Sequence, residues 1–371
     1  LIRCPSVTPE EGGAIILLED RLSAAGFTTR RIERGGISNL YARWGEAEPV
    51  LGFCGHTDVV PPGDLEAWNH PPFAAVREGG MLHGRGSADM KSGVAAFVAA
   101  AVEMVHTTPP EGSIAIAIAG DEEGDALDGT RAILDWMGAN DEQMNHCIVG
   151  EPTSHSEIGD RLKIGRRGSL TARLTSYGVQ GHSAYPERAR NPLPALVRLL
   201  DRLAVRELDN GSEYFGASTL AITSVDTGNT AANVIPAEAR ATVNIRFNDH
   251  HSGQSLSEWI EEEADTAAAD FGVGLAARFQ ISGESFVTEP GPFTELVSAA
   301  VEATTGRRPA LSTSGGTSDA RFMKDHCGVV ELGLVGDTIH QVNERVPVAD
   351  IETLKAIYTR VLAEYFATPP D

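Results

Sequence analysis

No stretch of this chain is apolar for long enough to span a bilayer, and its start does not read as a signal peptide. Basic residues are scarce: 30 lysines and arginines stand against 52 aspartates and glutamates, a net charge of −22. A surface of that sign repels phosphate backbones and anionic lipid, so neither nucleic acid nor membrane is expected as a partner. Cysteine is rare too. Cys4, Cys54, Cys147 and Cys327 lack C-x-x-C spacing, and Cys54 and Cys147 fall in apolar runs where a thiol acts as a small hydrophobe. That usage fits a reducing cytoplasmic compartment. Internal repeats and low-complexity tracts are also missing. The chain opens at Leu1 without a methionine, in what reads as a helix-to-turn segment, so natural sequence is expected upstream.

What is present is an ordinary globular composition, 42% hydrophobic and 22% charged, over 371 residues, enough for two compact domains. A pattern recurs along it. Val50 to Cys54 reads as a buried strand that stops at Gly55 and is followed by His56 and Asp58. Ser113 to Ala119 alternates Ile and Ala, then breaks into Gly120, Asp121, Glu122 and Glu123. Cys147 to Val149 ends in Gly150 and Glu151, and Gly328 to Val335 leads through Gly336 and Asp337 to His340. Asp89 lies in a Gly-rich loop just before an alanine-rich helix from Val94 to Val105, at the positive end of that helix. Open α/β sheets present ligand groups beyond strand C-termini, and this pattern puts histidines and carboxylates there repeatedly.

Between about Gly168 and Gly283 the texture changes. Strands are expected at Leu170–Ser176, Ser218–Val225, Ala239–Phe247 and Leu275–Ile281, with helices at Pro192–Leu203 and Ser252–Phe271. This β-α-β-β-α-β order implies a small α+β, ferredoxin-like sandwich inserted into an α/β, mixed-sheet catalytic domain. The expected boundaries are 1–167 and 284–371 for the catalytic domain and 168–283 for the insertion, with a closing helix from Asp350 to Phe366.

Nitrogen and oxygen donors of this kind suit zinc, and there are more of them than one tetrahedral ion needs. A two-metal site therefore fits, with Asp89, alone on its loop, as the bridging carboxylate. Glu122 and Glu123 are adjacent at a strand end, so their side chains diverge and one can bind metal while the other faces water. Asp58 suits a supporting bond to His56 better than ligation. Each feature also has a bland reading: a solvated acidic loop at Glu122-Glu123, a turn at Glu151-Pro152, turn or structural histidines at His182 and His340, and solvated charge at Arg166, Arg167 and Arg246.

Gly55-His56-Thr57-Asp58, Gly86-Ser87-Ala88-Asp89-Met90-Lys91, Asp121-Glu122-Glu123 and Gly150-Glu151-Pro152 together resemble the di-zinc aminoacylase/carboxypeptidase superfamily of peptidase-like amidohydrolases. Further motifs are similar to its desuccinylase branch: Ser6-Val7-Thr8-Pro9, Pro61-Pro62-Gly63-Asp64, Arg166-Arg167-Gly168-Ser169, Gly181-His182-Ser183-Ala184-Tyr185-Pro186, Ser314-Gly315-Gly316-Thr317-Ser318-Asp319 and Thr338-Ile339-His340-Gln341-Val342-Asn343-Glu344. The resemblance spans nearly the whole chain. It implies one zinc on His56, Asp89 and Glu151 and a second on Asp89, Glu123 and His340, with cobalt or manganese as substitutes. It further implies Glu122 as general base, Asp58 as the support of His56, and a cis peptide after Asp89. The insertion would be a dimerisation domain of a homodimer, with His182 completing the partner's site. Arg166, Ser169, Asn233, Arg246, Gly316 and Thr317 would contact substrate carboxylates. The implied reaction is zinc-dependent hydrolysis of the amide of N-succinyl-LL-2,6-diaminopimelate. The competing readings are an acetylornithine deacetylase or carboxypeptidase-like amidase, and a non-catalytic metal-binding module.

Overall fold

Val50–His56 and Ser113–Ala119 are buried at every position, as strands covered on both faces must be. In this computed structural model, which describes residues 1–370, they run parallel and side by side. His146–Val149 pairs in parallel with the other edge of Val50–His56, and Gly328–Glu331 pairs in parallel with His146–Val149. These four form the middle of an eight-stranded mixed sheet. Its order is Thr28–Arg34, Ile37–Trp44, Ser113–Ala119, Val50–His56, His146–Val149, Gly328–Glu331, Arg161–Lys163, Ala310–Ser312. Because the central strands share a direction, their C-terminal ends share one edge of the sheet.

The sheet belongs to the larger of two compact units, made of Leu1–Gly165, Thr288–Ser312 and Ser318–Asp371. Helices Lys91–Thr107 and Val348–Ala367 pack together against it. Phe53 on its strand stacks on Phe97 at a centroid distance of 4.3 Å, and Tyr358 meets both rings edge-on. The start of the Lys91–Thr107 helix presses on the end of the neighbouring strand. A Cβ on Gly93 would stand 2.7 Å from the Gly150 carbonyl oxygen, so a larger residue would push the two segments apart. That close approach sets the loop carrying Asp89 next to the one carrying Glu151.

The second unit, Arg166–Val287 with Thr313–Thr317, is built from a four-stranded antiparallel sheet. Its order is Thr219–Asp226, Glu238–Phe247, Gly168–Tyr177, Gly274–Gly283. Alternate residues of the two central strands, Leu170, Ala172, Leu174, Ala241, Val243 and Ile245, form its core with Leu196, Leu199 and Leu203 of helix Leu193–Val205 and Leu256 and Ile260 of helix Gly253–Phe271. In chain order this is a β-α-β-β-α-β, ferredoxin-like α+β sandwich.

Two elements differ from the pattern in the sequence. The apolar run from Gly328 reads as one strand to Val335, but pairing as a strand ends at Glu331. A Cβ on Gly333 would lie 2.2 Å from the Glu151 carbonyl oxygen, so the chain there runs hard against the Glu151 backbone. His340 consequently follows in a turn, with a left-handed φ of 60°. The edge strand Thr28–Arg34 has only Ile32 buried, and its polar sequence carries no strand periodicity. Replacing Gly93 with alanine is expected to lower the stability of the larger unit by about 1–3 kcal/mol, as an overpacked contact with backbone does; a urea unfolding curve measures it.

Candidate metal and catalytic site

His56 is the last residue of its strand, Glu122 and Glu123 follow Ser113–Ala119, Glu151 follows His146–Val149, and Asp89 precedes the Lys91–Thr107 helix. The shared edge of the sheet brings them to one place. His56 Nε2 lies 3.3 Å from Asp89 Oδ1 and 3.7 Å from Glu151 Oε1. His340 Nε2 lies 2.9 Å from Glu123 Oε1 and 3.4 Å from Asp89 Oδ2. Asp89 therefore turns one oxygen toward each histidine. Two sets of donor atoms gather within 4.8 Å: His56, Asp89 and Glu123, and His56, Glu122 and Glu151.

Asp58 holds this arrangement from behind. The nearest acceptor for His56 Nδ1 is the Asp58 backbone carbonyl, at 3.0 Å, with carboxylate Oδ1 at 3.5 Å. A proton on Nδ1 leaves the Nε2 lone pair facing Asp89 and Glu151. The Asp58 carboxylate itself accepts the backbone N–H groups of Glu122 and Glu123, at 3.2 and 3.0 Å. One buried residue thus ties the histidine, chiefly through its backbone carbonyl, to the glutamate pair, through its carboxylate, a second task that the His-x-Asp spacing does not reveal.

The electrostatics follow from four carboxylates sharing a small, largely buried volume. Burial would lower the His56 imidazole, but the Asp58 and Asp89 carboxylates beside it and the charge of Glu151 hold it well above 6.5. His340 is raised to about 10 by Asp89 and then Glu123. Burial opposes ionisation of Asp89, and the two histidines overcome it, leaving its carboxyl below the usual range. Burial and then the Glu151 charge push Glu122 well above the usual carboxylate range, and the nearby His56 offsets them only in part. The histidines thus serve as the cations that the carboxylates demand. Buried His56 Nε2 and Asp89 Oδ1 nevertheless lack a well-formed hydrogen bond. Unsatisfied donors of this type, converging from several loops, fit a site for divalent metal.

The remaining sequence candidates lie in the second unit. His182 is exposed on the short strand Gly181–His182, and its Nδ1 accepts the Ala184 N–H at 3.0 Å, which leaves the proton of the neutral ring on Nε2. The Asn233 carbonyl accepts the Ser183 N–H, so Asn233 borders the same turn. Ser169 sits opposite Arg246 in the strand register, and burial lowers the Arg246 guanidinium, with Arg167 adding to the effect. Arg166 Nη1 donates to the Gly316 carbonyl at 2.8 Å, and Thr317 follows in the same segment.

Two other buried carboxylates beside the site, Asp319 and Glu344, end motifs of the sequence that do not tell what they touch. Asp319 accepts a hydrogen bond from Thr130 Oγ1 at 2.7 Å, and burial raises its carboxyl. Glu344 ends a quoted motif, but nothing in the linear order says that its carboxylate reaches the Asp89 loop, where it accepts the Ala88 N–H at 2.8 Å.

Comparison with known proteins agrees with this geometry. The model of Peptidase family M20/M25/M40 matches residues 52–364. The chain belongs to that family. A succinyl-diaminopimelate desuccinylase of Cereibacter sphaeroides is 63% identical over 369 residues, covering 99% of this chain and 97% of the relative. One from Ruegeria pomeroyi is 62% identical with the same coverage. Among solved structures, an M20 family metallo-carboxypeptidase from Sulfolobus solfataricus superposes with a TM-score of 0.82 at 17% identity, covering 99% of this chain and 98% of that one. A Bacillus subtilis protein described as a dinuclear metal-binding M20 peptidase gives 0.72 at 16%, over 98% and 95%. At these identities the likeness is one of fold.

If these residues hold metal, chelator-treated protein should be stabilised when zinc is restored. At a free concentration a hundred times the dissociation constant the gain is about 2.7 kcal/mol for one site. Thermal unfolding measures it, and the gain should fall sharply in His56→Ala and shrink as pH drops, because protons compete for the donor atoms.

Proposed function

We propose that the protein is a metal-dependent amidohydrolase that cleaves N-succinyl-LL-2,6-diaminopimelate into succinate and LL-diaminopimelate, a step of diaminopimelate and lysine biosynthesis in the bacterial cytoplasm. The observation that carries the substrate is the 63% identity, end to end, to a desuccinylase. The cluster at the sheet edge supports the reaction class. No helix among the described residues is long and apolar enough to cross a membrane, and the four cysteines are free.

Two zinc ions per subunit would be held by His56, Asp89 and Glu151 on one side and by Asp89, Glu123 and His340 on the other, Asp89 being shared. When bound, such a pair supplies Lewis-acid polarisation of the amide carbonyl and a lowered pKa for the attacking water. Glu122, whose carboxyl is disposed to take up a proton, removes one from that water and delivers it to the departing amine. His56 is held in its ligating tautomer through Nδ1, and Asp58 keeps the Glu122 backbone in place.

His182 is read as a residue of the partner subunit's site in a homodimer formed through the second unit. Its Nε2–H, left free by the Nδ1 bond to Ala184, is the donor that a developing oxyanion needs. Arg166, Ser169, Asn233, Arg246, Gly316 and Thr317 are read as the groups that receive the substrate carboxylates. Arginine suits that task because its planar fork matches a carboxylate in two places.

On metal-loaded protein, kcat/KM for succinyl-diaminopimelate should exceed that for N-acetylornithine by at least about 10²-fold. A preference for the acetyl substrate would overturn the assignment. Glu122→Gln should cost about 10²–10⁴ in turnover while metal stoichiometry is kept. Mixing it with an inactive His182→Ala variant should restore activity, because the heterodimer then holds one complete site. An inert, verified heterodimer would remove His182 from the partner's chemistry.

A further inference from the structure

Behind Asp89, on the side away from the two histidines' donor atoms, lies a buried ion pair to which the proposed reaction assigns no task. The side chains of Arg85 and Glu344 are 3% and 1% exposed, and Arg85 Nη1 lies 2.8 Å from Glu344 Oε2. The same Oε2 accepts the Gly86 N–H at 3.0 Å, while Oε1 accepts the N–H groups of Ala88 at 2.8 Å and Asp89 at 3.2 Å. One carboxylate therefore takes four donors, three of them from the backbone of the loop that ends in Asp89. Arg85 extends the junction through Nη1 to the Gln341 carbonyl at 3.1 Å and through Nη2 to the Pro61 carbonyl at 3.4 Å. Its guanidinium lies over the Trp68 ring, 5.3 Å from the centroid.

Three segments meet at this pair: the one following His56 and Asp58, the loop that delivers Asp89, and the turn that delivers His340. We propose that Arg85 and Glu344 are positioning residues that set the Asp89 carboxylate between His56 and His340 and thereby the metal affinity of the site. The inference rests on reading Asp89 as a metal-binding carboxylate. A loop rich in glycine has little stiffness of its own, and Gly84 and Gly86 both have positive φ values. Its geometry must be imposed from outside, and only an acceptor without N–H or O–H of its own can receive all four donors at once. Both Glu344 oxygens and both terminal Arg85 nitrogens are bonded, with only Arg85 Nε left without a partner, and breaking a pair buried this deeply leaves an uncompensated charge.

Glutamine at 344 has nearly the shape of glutamate but turns an NH₂ group toward either the guanidinium or the Ala88 and Asp89 amides. Donor then faces donor, and the Asp89 loop loses part of its clamp. The test is metal binding, measured by competition with a chelating dye on metal-stripped, folded protein. Glu344→Gln is expected to weaken binding by about 10–100-fold, the usual cost of losing a group that orients a ligand. Arg85→Lys, which keeps the charge but not the fork, should shift it less and in the same direction. Asp160→Asn is the control. Asp160 likewise accepts three backbone N–H groups, from His155, Ser156 and Glu157, in a loop without a candidate ligand. Its replacement should change thermal stability without moving the metal dissociation constants.

Wild-type dissociation constants in Glu344→Gln would overturn the inference, and where that variant fails to fold, wild-type constants in Arg85→Lys would do so. An equal loss in Asp160→Asn would also overturn it, by showing that general loosening suffices. Wild-type protein that binds no metal would instead sink the reading of Asp89 on which the inference rests.

Discussion

Carboxylates crowded at one edge of a sheet are the constraint from which the rest of this structure follows. Asp89, Glu122, Glu123 and Glu151 converge around two histidines. Two like charges 4 Å apart repel by about 4 kcal/mol at an effective dielectric near 20. Several such pairs approach the whole stability of a domain, roughly 5–15 kcal/mol. The fold therefore needs cations there. The upward shifts of His56 and His340 and the proton affinity of Glu122 are the protein's answer in protons. Divalent metal is the stronger answer, and it also explains why such a costly cluster persists.

Holding the cluster in place takes rigid parts. The four parallel strands give a common edge, and their burial on both faces makes that edge stiff. Asp58 and Glu344 act in the same way on two different loops: each is a buried carboxylate that accepts backbone N–H groups next to a candidate ligand. Gly93 brings the Asp89 and Glu151 segments together by letting its backbone meet the Gly150 carbonyl, and the absence of a side chain on Gly150 leaves room for Phe53 and Met90. Precision in the loops thus comes from hydrogen bonds and close packing, since the loops carry no regular structure of their own.

The βαββαβ order of the second unit and the strand-then-ligand pattern of the first were legible because burial on one or both faces writes a period into the sequence. Thr28–Arg34 was not legible, since an edge strand held mainly by backbone hydrogen bonds leaves no apolar period. The end of the fourth central strand is hidden in the sequence for a related reason. Leu332 and Leu334 are buried like strand residues, yet Gly333 runs against the Glu151 backbone and the ladder stops. Apolar content records burial and says little about which backbone groups are paired.

The sequence by itself determined that histidines and carboxylates follow strand ends, that His56 belongs with Asp58, and that an α+β module interrupts an α/β domain. These are local facts, carried by spacing and periodicity. Only the tertiary structure decided that Asp89 divides its two oxygens between His56 and His340, that the Asp58 carboxylate bonds the Glu122-Glu123 backbone, and that Glu344 reaches back to the Asp89 loop. The last two of these join residues far apart in the chain through backbone amides, which every residue type but proline carries. A contact made through such groups leaves no mark on residue identity at its donor end, and folding is what brings it into being.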